Sequence, residues 1–399
     1  MELLLSPLRE FRKKGDLILL LLCLLASTFG LALIYSATRY TGRDRFILVQ
    51  ALAICIGVGI YILLTFVDLQ SFTERQWKLL LAFNIIFILL LLTPLGTDHN
   101  SGNLNWLALD KIIPRFPLDI QPNEIVKIPF VLLLSLQIVK IKERGADISS
   151  IPSVMQIGCH AAMMLALIAV VCGDMGMCVV YLLIFVIMAW SAGVKARWFL
   201  ITGGLIVAAA VILWLFVLPD TALWDTNYMV KRIRALLDHS YDPQGVGWQQ
   251  TRSLMAIGAG RFTGQGYLHG TRTQSLLNES LPARHTDFIF AVCGEELGTV
   301  GCCLLLAVLA SIILRCFWVG LHATSPFYAY VCIGMGGMLL IQIALNVGMC
   351  LFIAPCMGLT LPFISYGGSS IITLFAAMGI VSSAKAQTLP SWLRDRNRM

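Results

Sequence analysis

The sequence predicts an all-α integral membrane protein with about ten transmembrane helices and a large structured extracellular loop between helices 7 and 8. The chain of 399 residues is 58% hydrophobic and only 13% charged, whereas soluble domains contain about 25% charged residues. Apolar runs of about 20 residues, long enough to cross a bilayer, recur along the chain. No polar block is long enough to fold alone, so we expect residues 1–399 to form a single membrane domain.

The distribution of charge and cysteine excludes two other classes of function. The net charge is +7, but the basic residues lie at the ends of apolar runs, as the positive-inside rule predicts, and form no stripe for nucleic acid. The 12 cysteines lie within or beside apolar segments and form no CxxC pair. We therefore expect buried free thiols, with neither a disulfide framework nor a Cys/His metal site.

The first predicted helix covers residues 17–36 and follows the basic residues Arg9, Arg12, Lys13 and Lys14. A cleaved signal peptide is the alternative interpretation. The run is too long for a typical signal core, and no convincing small-residue cleavage site follows it. We predict a helix that stays in the mature protein.

Nine further spans are predicted from the apolar runs that follow. Pro129 should interrupt the fourth span early, and the long run at 154–192 should divide into two spans around residues 173–176. The ten spans lie near 17–36, 47–67, 77–96, 122–141, two within 154–192, 197–218, 288–316, 326–353 and 364–386.

The basic residues predict that both termini face the cytoplasm. With a cytoplasmic N-terminus, the inside loops and the C-terminal tail hold most of the basic residues, as the positive-inside rule requires. The first outside loop opposes this bias, since it carries Arg39, Arg43 and Arg45. The inside positions are Arg75, Lys78, Lys140, Lys142, Arg144, Lys195, Arg197, Arg315, Lys385, Arg394, Arg396 and Arg398.

Two outside segments, about 97–121 and 219–287, are too long to be simple connectors. The second mixes aromatic residues with many glycines, which indicates an ordered loop. Within it, Tyr228–Leu237 has helical spacing and three basic residues. This helix is predicted either to contact anionic head groups or to be a solvated loop helix.

The densest group of reactive side chains lies where the second outside loop enters the eighth span. Thr286 or Asp287 could act there simply as a helix N-cap. Glu295 and Glu296 follow two turns later in an apolar run, where an isolated carboxylate would cost about 2.5–3.5 kcal/mol. They are expected to face a polar cleft that opens outward. The residues at the mouth of this cleft are Arg284, His285, Thr286 and Asp287.

Other charges within the spans point to the same polar pocket. Glu124 and Lys127 are three residues apart on one helix face, where they can form a pair that is functional or purely structural. Asp174 lies between Gly173 and Gly176, at a predicted helix break that could expose backbone groups to a cavity.

Two glycine-containing segments carry weaker signals. The stretch 258–266 lacks the GxxxxGK[ST] pattern of a phosphate loop, although a backbone turn close to a diphosphate, aided by Arg261, is compatible with it. The stretch Leu361–Ser370 contains Ser365 and two glycines, which either line the pocket or only allow close helix packing.

Taken in order, these motifs resemble the SEDS family of membrane proteins, which includes RodA, FtsW and SpoVE. The similarity runs from YSAT at 35–38 to the last span, and the first of these segments and the short termini are closer to RodA than to FtsW. Three positions depart from the family pattern: Ala283 replaces a common Glu, Asn123 replaces Ser, and 173–178 is a loose version of QPDLGTA. The matching segments are QPNE with Lys127, HTDFIFAVCGEELG at 285–298, NVGM at 346–349 and GLTLPFISYGGSS at 358–370.

The resemblance implies a peptidoglycan glycosyltransferase in the bacterial cytoplasmic membrane. Such an enzyme polymerises lipid II on the outer face, for cell elongation and shape or for division, together with a class B penicillin-binding protein. The essential Asp of the family corresponds to Asp287, the Trp of the first long outside loop to Trp106, and the Glu–Lys pair to Glu124 and Lys127.

The chemistry that this activity implies is a single inverting displacement. Asp287 is expected to be the base for the acceptor hydroxyl, or else a ligand of a divalent cation, Mg²⁺ or Mn²⁺, and no tightly bound cofactor is expected. Arg261, Arg272 and Arg284 are candidates for binding diphosphate. The remaining candidates for the pocket are His285, Glu295, Glu296 and Ser365.

Two alternatives remain open: a flippase for the same lipid-linked precursor, and a scaffold that only recruits the transpeptidase. A transporter is expected to concentrate its distinctive residues at the midplane of the membrane. Here the densest motif lies at the outer mouth, which favours a polymerase. A scaffold predicts that Asp287 is dispensable.

Overall fold

The computed structural model describes residues 10–39, 45–98, 103–111, 119–217, 219, 221, 228–238, 247–276 and 280–388. Eight helices in this part of the chain are long and apolar enough to cross a membrane. Two shorter helices occupy the positions predicted for the fourth and sixth spans. The all-α, multi-pass architecture is therefore confirmed. Parts of both long outside loops and the basic tail with Arg394, Arg396 and Arg398 lie outside the described residues.

The helices are numbered in chain order. A two-stranded antiparallel sheet lies in the first long loop. The sheet consists of β1 (Gly96–Thr97) and β2 (Trp106–Leu107). The first seven helices are α1 (Leu17–Thr38), α2 (Arg45–Thr65), α3 (Leu69–Leu89), α4 (Pro122–Ile125), α5 (Lys127–Glu143), α6 (Ile151–Leu167) and α7 (Met175–Ser191). The remaining helices are α8 (Ala196–Ile212), α9 (Tyr228–Leu237), α10 (Trp248–Gly260), α11 (Ile289–Leu321), α12 (Pro326–Cys350) and α13 (Gly368–Thr388).

The third span begins eight residues earlier than the predicted position 77. Asp68 caps α3 by accepting a hydrogen bond from the backbone N–H of Ser71 at 3.1 Å. The charged turn around Glu74 and Arg75, expected to be a loop, is helical, with a kink at Gln76. Helix-capping chemistry therefore overrides the polarity that predicted a loop there.

The two predicted breaks lie close to their expected positions. The fourth span divides at Val126 into α4 and α5. Pro129 has no N–H with which to bond the carbonyl of Ile125, so the backbone loosens one turn before it. The fifth span ends in a π turn at Ile168–Cys172 and a left-handed Gly173, after which Asp174 caps α7.

Small residues bring α2 and α13 into close contact. A Cβ added at Gly379 would lie 2.8 Å from the Cα of Tyr61, and one added at Gly57 would lie 2.8 Å from the ring of Phe375. Such glycines let helix backbones approach closely in a membrane, where van der Waals packing drives helix association. By contrast, α8 has no buried residue among those described.

A cluster of charged residues, which we call the clasp, joins four helices at one end of the bundle. Asp16 is fully buried before α1 and accepts hydrogen bonds from Arg315 at 2.8 and 3.0 Å. Lys385 lies 3.4 Å from the same carboxylate. Ser382 and Tyr61 bond the backbone of Asp16 at 3.0 and 2.8 Å. The clasp therefore fixes α1, α2, α11 and α13 to one another.

Residues counted along the helices from the clasp give a scale for depth in the membrane. A helix rises 1.5 Å per residue, so a hydrocarbon core of about 30 Å corresponds to about 20 residues. Counting from Asp16 along α1 leads to Ser36, and counting back from Arg315 along α11 leads to Glu295. Ser36 donates a hydrogen bond to Glu296 at 2.6 Å, so the two counts agree. Taking the clasp as one edge of a hydrocarbon core about 30 Å thick, we place the other edge at this level.

The loop after α10 is joined to α11 by a backbone exchange. Gly298 has φ 66° and ψ −166° and breaks the hydrogen-bond ladder of α11. The N–H groups of Thr299 and Val300 bond the carbonyls of Arg261 and Phe262 at 3.0 and 3.2 Å. In return, the carbonyls of Glu295 and Glu296 accept hydrogen bonds from Gln265 and Gly266 at 2.9 and 3.0 Å. We call this exchange the splice; it satisfies backbone groups that a membrane would leave unpaired.

Candidate active site

Asp287 lies in the turn before α11 and does not act as its cap. The capping position is occupied by Phe288, and no side chain makes a capping bond there. The Thr286 hydroxyl bonds instead to the carbonyl of Ala283 at 3.3 Å. The simple N-cap interpretation of Thr286 and Asp287 is therefore wrong, and their side chains are available for another role.

The backbone of Asp287 is held by α12. The Asn346 amide donates to the carbonyls of Asp287 at 2.9 Å and Leu359 at 2.6 Å. Asn346 is fully buried, so losing either bond would leave an unsatisfied polar group. This side chain fixes the turn that carries the carboxylate.

The residues beside Asp287 are held by the segment before α13. The Ser365 hydroxyl donates to the carbonyl of Thr286 at 2.6 Å, and the N–H of Tyr366 donates to the carbonyl of His285 at 2.9 Å. The rings of His285 and Phe46 pack with centroids 4.9 Å apart. Ser365 and His285 therefore lie at the site, and Ser365 acts on the backbone of the motif.

The carboxyl group of Asp287 is half-buried beside a basic residue. Burial raises the pKa of Asp287 to about 6, while the positive charge of Arg232 and a hydrogen bond from Thr286 act in the opposite direction. The negative charge of Asp174 raises the same pKa further. A Cβ at Gly358, which has a left-handed φ of 66°, would lie 3.8 Å from the carboxylate. Glycine therefore leaves space beside the reactive group.

Arg232 projects from α9 toward this site. Its guanidinium donates a hydrogen bond to the carbonyl of Cys356, in the loop that also contains Gly358. The sequence predicted a basic amphipathic helix here but assigned Arg232 no role at the site. Because Arg232 and Asp287 are 55 residues apart in the chain, only the fold shows their proximity.

A chain of polar side chains lies on the other side of the site. Asn105 donates to Asp174 at 2.7 Å, and Asn123 donates to Asn105 at 3.4 Å. Tyr181 donates to the carbonyl of Asn123 at 2.9 Å. Trp106 follows Asn105 in β2 and is partly exposed, so it stands next to this polar chain. Sequence reasoning missed Asn105, since a single Asn in a loop gives no signal.

Glu124 and Lys127 form a buried ion pair at 2.9 Å, with side chains 3% and 1% exposed. Gln342 from α12 and Ser370 from α13 each lie 3.5 Å from the Glu124 carboxylate. The pair therefore connects three segments of the bundle. These contacts support the interpretation that the pair is structural. They also keep two charges beside the polar side chains of Asn105 and Asn123.

Glu295 and Glu296 are fully buried and bind the loop at 268–274. Their carboxylates accept hydrogen bonds from that loop and from α1. Glu295 accepts hydrogen bonds from Thr271 Oγ1, Arg272 N, Thr273 N and Thr273 Oγ1 at 2.6–3.1 Å. Glu296 accepts from Ser36, Leu268 N and Gln274 at 2.6–3.1 Å. Both carboxylates therefore shape the loop.

The three arginines predicted to bind diphosphate occupy different places. Arg284 donates to the carbonyls of Thr273 and Ser275 and so braces the loop. Nη1 of Arg272 is buried without a hydrogen-bond partner among the described residues, so it can serve a ligand. The carbonyl of Arg261 accepts a hydrogen bond from the N–H of Thr299, beyond the helical stretch 289–297, which alone spans about 12 Å. The structure does not bring Arg261 to Asp287.

The described residues contain no group of three or more His, Cys, Asp or Glu side chains placed to hold a metal ion. A divalent cation at Asp287 would need further oxygens from a substrate, as Mg²⁺ often does with phosphates. The side chains alone do not form a metal cage.

Comparison with known proteins agrees with the motifs. The sequence profile of the family described as "Cell cycle protein", FtsW, RodA and SpoVE, matches residues 16–389. The chain is 32% identical over 370 residues to the peptidoglycan glycosyltransferase MrdB of Escherichia coli K12, covering 92% of each chain. It is 29% identical over 377 residues to stage V sporulation protein E of Bacillus subtilis, covering 92% of this chain and 94% of that protein.

Solved structures share the fold. A chain of a peptidoglycan synthase complex, described as coordinating polymerization and crosslinking, superposes with a TM-score of 0.72 at 25% identity and covers 96% of this chain and 99% of its own. The rod shape determining protein RodA of Thermus thermophilus gives a TM-score of 0.63 at 23% identity, covering 96% and 98%. By sequence and by fold, the chain belongs to the FtsW/RodA/SpoVE family, the SEDS membrane proteins.

Proposed function

We infer that the chain is a peptidoglycan glycosyltransferase that polymerises lipid II into β-1,4-linked glycan strands. The observation that carries this inference is the place of Asp287. It lies on a backbone held by Asn346 and Ser365 and faces Arg232. The names of relatives that are 28–32% identical over nearly the whole chain support the same activity.

The depth of Asp287 suits a lipid-linked substrate. Asp287 lies in the turn before α11, about two helical turns toward the outside from Glu295. We propose that the diphosphate and sugars of lipid II reach this level, while the undecaprenyl chain stays in the lipid. The site therefore meets the reacting sugar on the outer face.

The proposed reaction is one inverting displacement. The carboxylate of Asp287 removes the proton from the 4-hydroxyl of the acceptor sugar, and the oxygen forms a bond to the anomeric carbon of the donor. The bond from that carbon to the diphosphate breaks with inversion, and undecaprenyl diphosphate leaves with the electron pair. A half-buried base with a pKa near the working pH suits this role.

We propose that Arg232 and Arg272 neutralise the departing diphosphate. Arg232 lies close enough to Asp287 to influence its pKa, and Arg272 has a buried donor available. Planar guanidinium groups bind phosphate oxygens through paired hydrogen bonds. Arg284 supports the loop between them through its carbonyl contacts. The role of a divalent cation, Mg²⁺ or Mn²⁺, at Asp287 stays a prediction, and no step above depends on it.

A class B penicillin-binding protein is the proposed partner, and the bacterial cytoplasmic membrane is the proposed location, with both termini inside. The similar chain from a complex that coordinates polymerization and crosslinking supports the partner. The clasp supports the orientation, since it gathers Arg315 and Lys385 at the end assigned to the cytoplasm.

Polymerisation of labelled lipid II by the purified protein with its cognate transpeptidase tests this function. We expect Asp287→Ala to lower the rate by a factor of about 10² to 10⁴, because positioned base catalysis contributes that much. Glu74→Gln is the matched control: it removes an exposed carboxylate on α3, at the opposite end of the bundle.

Equal polymer from wild type and Asp287→Ala would remove Asp287 from the mechanism and favour a scaffold. No polymer from any protein, despite an active partner and added Mg²⁺ and Mn²⁺, would favour the flippase. Thermal unfolding and partner binding of each variant separate lost chemistry from lost folding.

A further inference from the structure

The segment formed by α10 and the loop after it descends along the outer part of α11. Gln250 and Ser253 bond the carbonyls of Met349 and Cys350 at 3.0 and 2.8 Å, at the outer end of α12. About two turns further on, Gly260 fits against the backbone of Gly294. The helix therefore points from the level of the active site toward the membrane.

The tip of this segment passes the outer edge of the hydrocarbon core. Arg261 and Phe262 bond the backbone of Thr299 and Val300 through the splice. These two residues are 16 and 15 positions before Arg315 on α11, which places them about 24 and 22 Å above the clasp. The hydrocarbon core extends to about 30 Å. The tip therefore lies about 6–8 Å below the surface of the core.

A contact with the first span gives the same depth on the scale counted from the clasp. The hydroxyl of Tyr267 donates to the carbonyl of Ala32 at 2.8 Å. Ala32 is four residues before Ser36, so this contact lies about 6 Å inside the edge. Tyrosine suits this boundary because its ring is apolar and its hydroxyl can form a hydrogen bond.

The surface of the tip has the chemistry of a lipid contact. Phe262 is 69% exposed. Leu254, which lies earlier in the same segment on α10, is 44% exposed. On α11, Leu304 is 61% exposed below the tip. Exposed apolar side chains thus occur on both segments. Arg261 is exposed beside them, and a long basic side chain can extend from this depth to a phosphate at the surface.

We propose that residues 254–267 form an outer-leaflet anchor, in which Phe262 lies among phospholipid acyl chains and Arg261 binds a phospholipid phosphate. The depth is within the range of about 5–10 Å over which interfacial elements bury their apolar face. Through the splice and Glu295, the anchor connects to the loop that carries Arg272. The anchor holds that loop at a fixed height above the lipid. This proposal does not depend on the proposed activity.

Photocrosslinking in bilayer nanodiscs of phosphatidylethanolamine and phosphatidylglycerol tests the anchor. p-Benzoylphenylalanine replaces Phe262, and after irradiation the peptides are analysed by mass spectrometry for lipid adducts. Leu304, in the membrane, is the positive control. Ile353 is the matched negative control, because it is apolar and 72% exposed but bonds to Gly348 at the level of the active site.

We expect phospholipid adducts at 262 in an amount comparable to that at 304, and only background at 353. Background at 262 together with adducts at 304 would overturn the proposal, and so would equal adducts at 262 and 353, which would remove the difference in depth. If the protein with the probe at 262 does not assemble, the probe at the neighbouring exposed Thr263 decides the question by the same criteria.

Discussion

In the proposed reaction Asp287 must be ionised to accept a proton, and its surroundings determine the pH at which it ionises. Burial raises its pKa to about 6, and the charge of Arg232 opposes that rise. The ionised fraction is therefore nearly complete above pH 7 and falls as the pH drops below 6. The pH profile of the polymerisation rate is therefore expected to report on the surroundings of Asp287.

We predict that the polymerisation rate falls on the acid side with an apparent pKa near 6. Arg232→Gln removes a positive charge that favours the carboxylate, so its acid limb should move to higher pH. Initial rates between pH 5 and 8.5 measure this shift. Lys231→Gln removes the same charge from the neighbouring position of α9 and should leave the limb in place. A limb at unchanged or lower pH in Arg232→Gln would contradict the assignment.

A second prediction concerns the buried pair of Glu124 and Lys127. Lys127→Met leaves a buried carboxylate without its partner, which typically costs about 3–5 kcal/mol of folding free energy. The double variant Glu124→Gln/Lys127→Met removes both charges and should recover much of this loss. Thermal unfolding in detergent measures both. A double variant less stable than Lys127→Met would show that the pair is not the source of the effect.

At the scale of elements, the splice is a joint between a loop and a broken helix. It places four backbone hydrogen bonds between residues 261–266 and 295–300. Gly264 makes this joint possible: it has φ 81°, and a Cβ there would overlap the carbonyl of Glu296. The loop therefore supplies α11 with the backbone hydrogen bonds that a regular helical turn would have made.

Gly264→Ala is predicted to lower the stability of the protein, because it strains the backbone and breaks the splice. Gly258→Ala is the matched control, since Gly258 is in the exposed face of α10 with nothing within 4 Å of an added Cβ. That change should be neutral or raise stability, by up to about 1 kcal/mol. The two melting temperatures compare directly, and equal values would show that the splice contributes little.

At the scale of the whole molecule, the positive-inside rule assigns the end of the bundle that holds the clasp to the cytoplasm. We predict that both termini are cytoplasmic. A fluorescent protein that folds only in the cytoplasm should be bright when fused after residue 399. A phosphatase that is active only outside should work when inserted at 241–246. The opposite pattern of signals would invert the orientation and place Asp287 on the wrong face for the proposed reaction.

Much of this molecule follows from local sequence patterns. Apolar runs predicted the spans, Gly173 and Pro129 predicted the breaks, and the motif around Asp287 predicted where the candidate site lies. These signals are readable because each lies within one short segment. The start of α3 was misplaced because Glu74 and Arg75 look like a loop until the cap at Asp68 is seen.

What the sequence did not show depends on contacts between distant segments. Arg232, Asn105 and Asn346 acquire their roles only when α9, β2 and α12 meet at the site. The separation of Arg261 from Asp287 is likewise a property of the fold. Neither hydropathy nor motif spacing contains the distances between these groups.

The clasp has a consequence for biosynthesis. Arg315 is 299 residues after Asp16, and ribosomes add about 5–20 residues per second. The partner of Asp16 is therefore made on the order of 15–60 s after Asp16 itself, and Lys385 follows later. During this time Asp16 is a hydrated carboxylate at the mouth of a helix already in the membrane. The clasp closes only when translation is nearly complete, so an unclosed clasp distinguishes a nascent or truncated chain from a finished one.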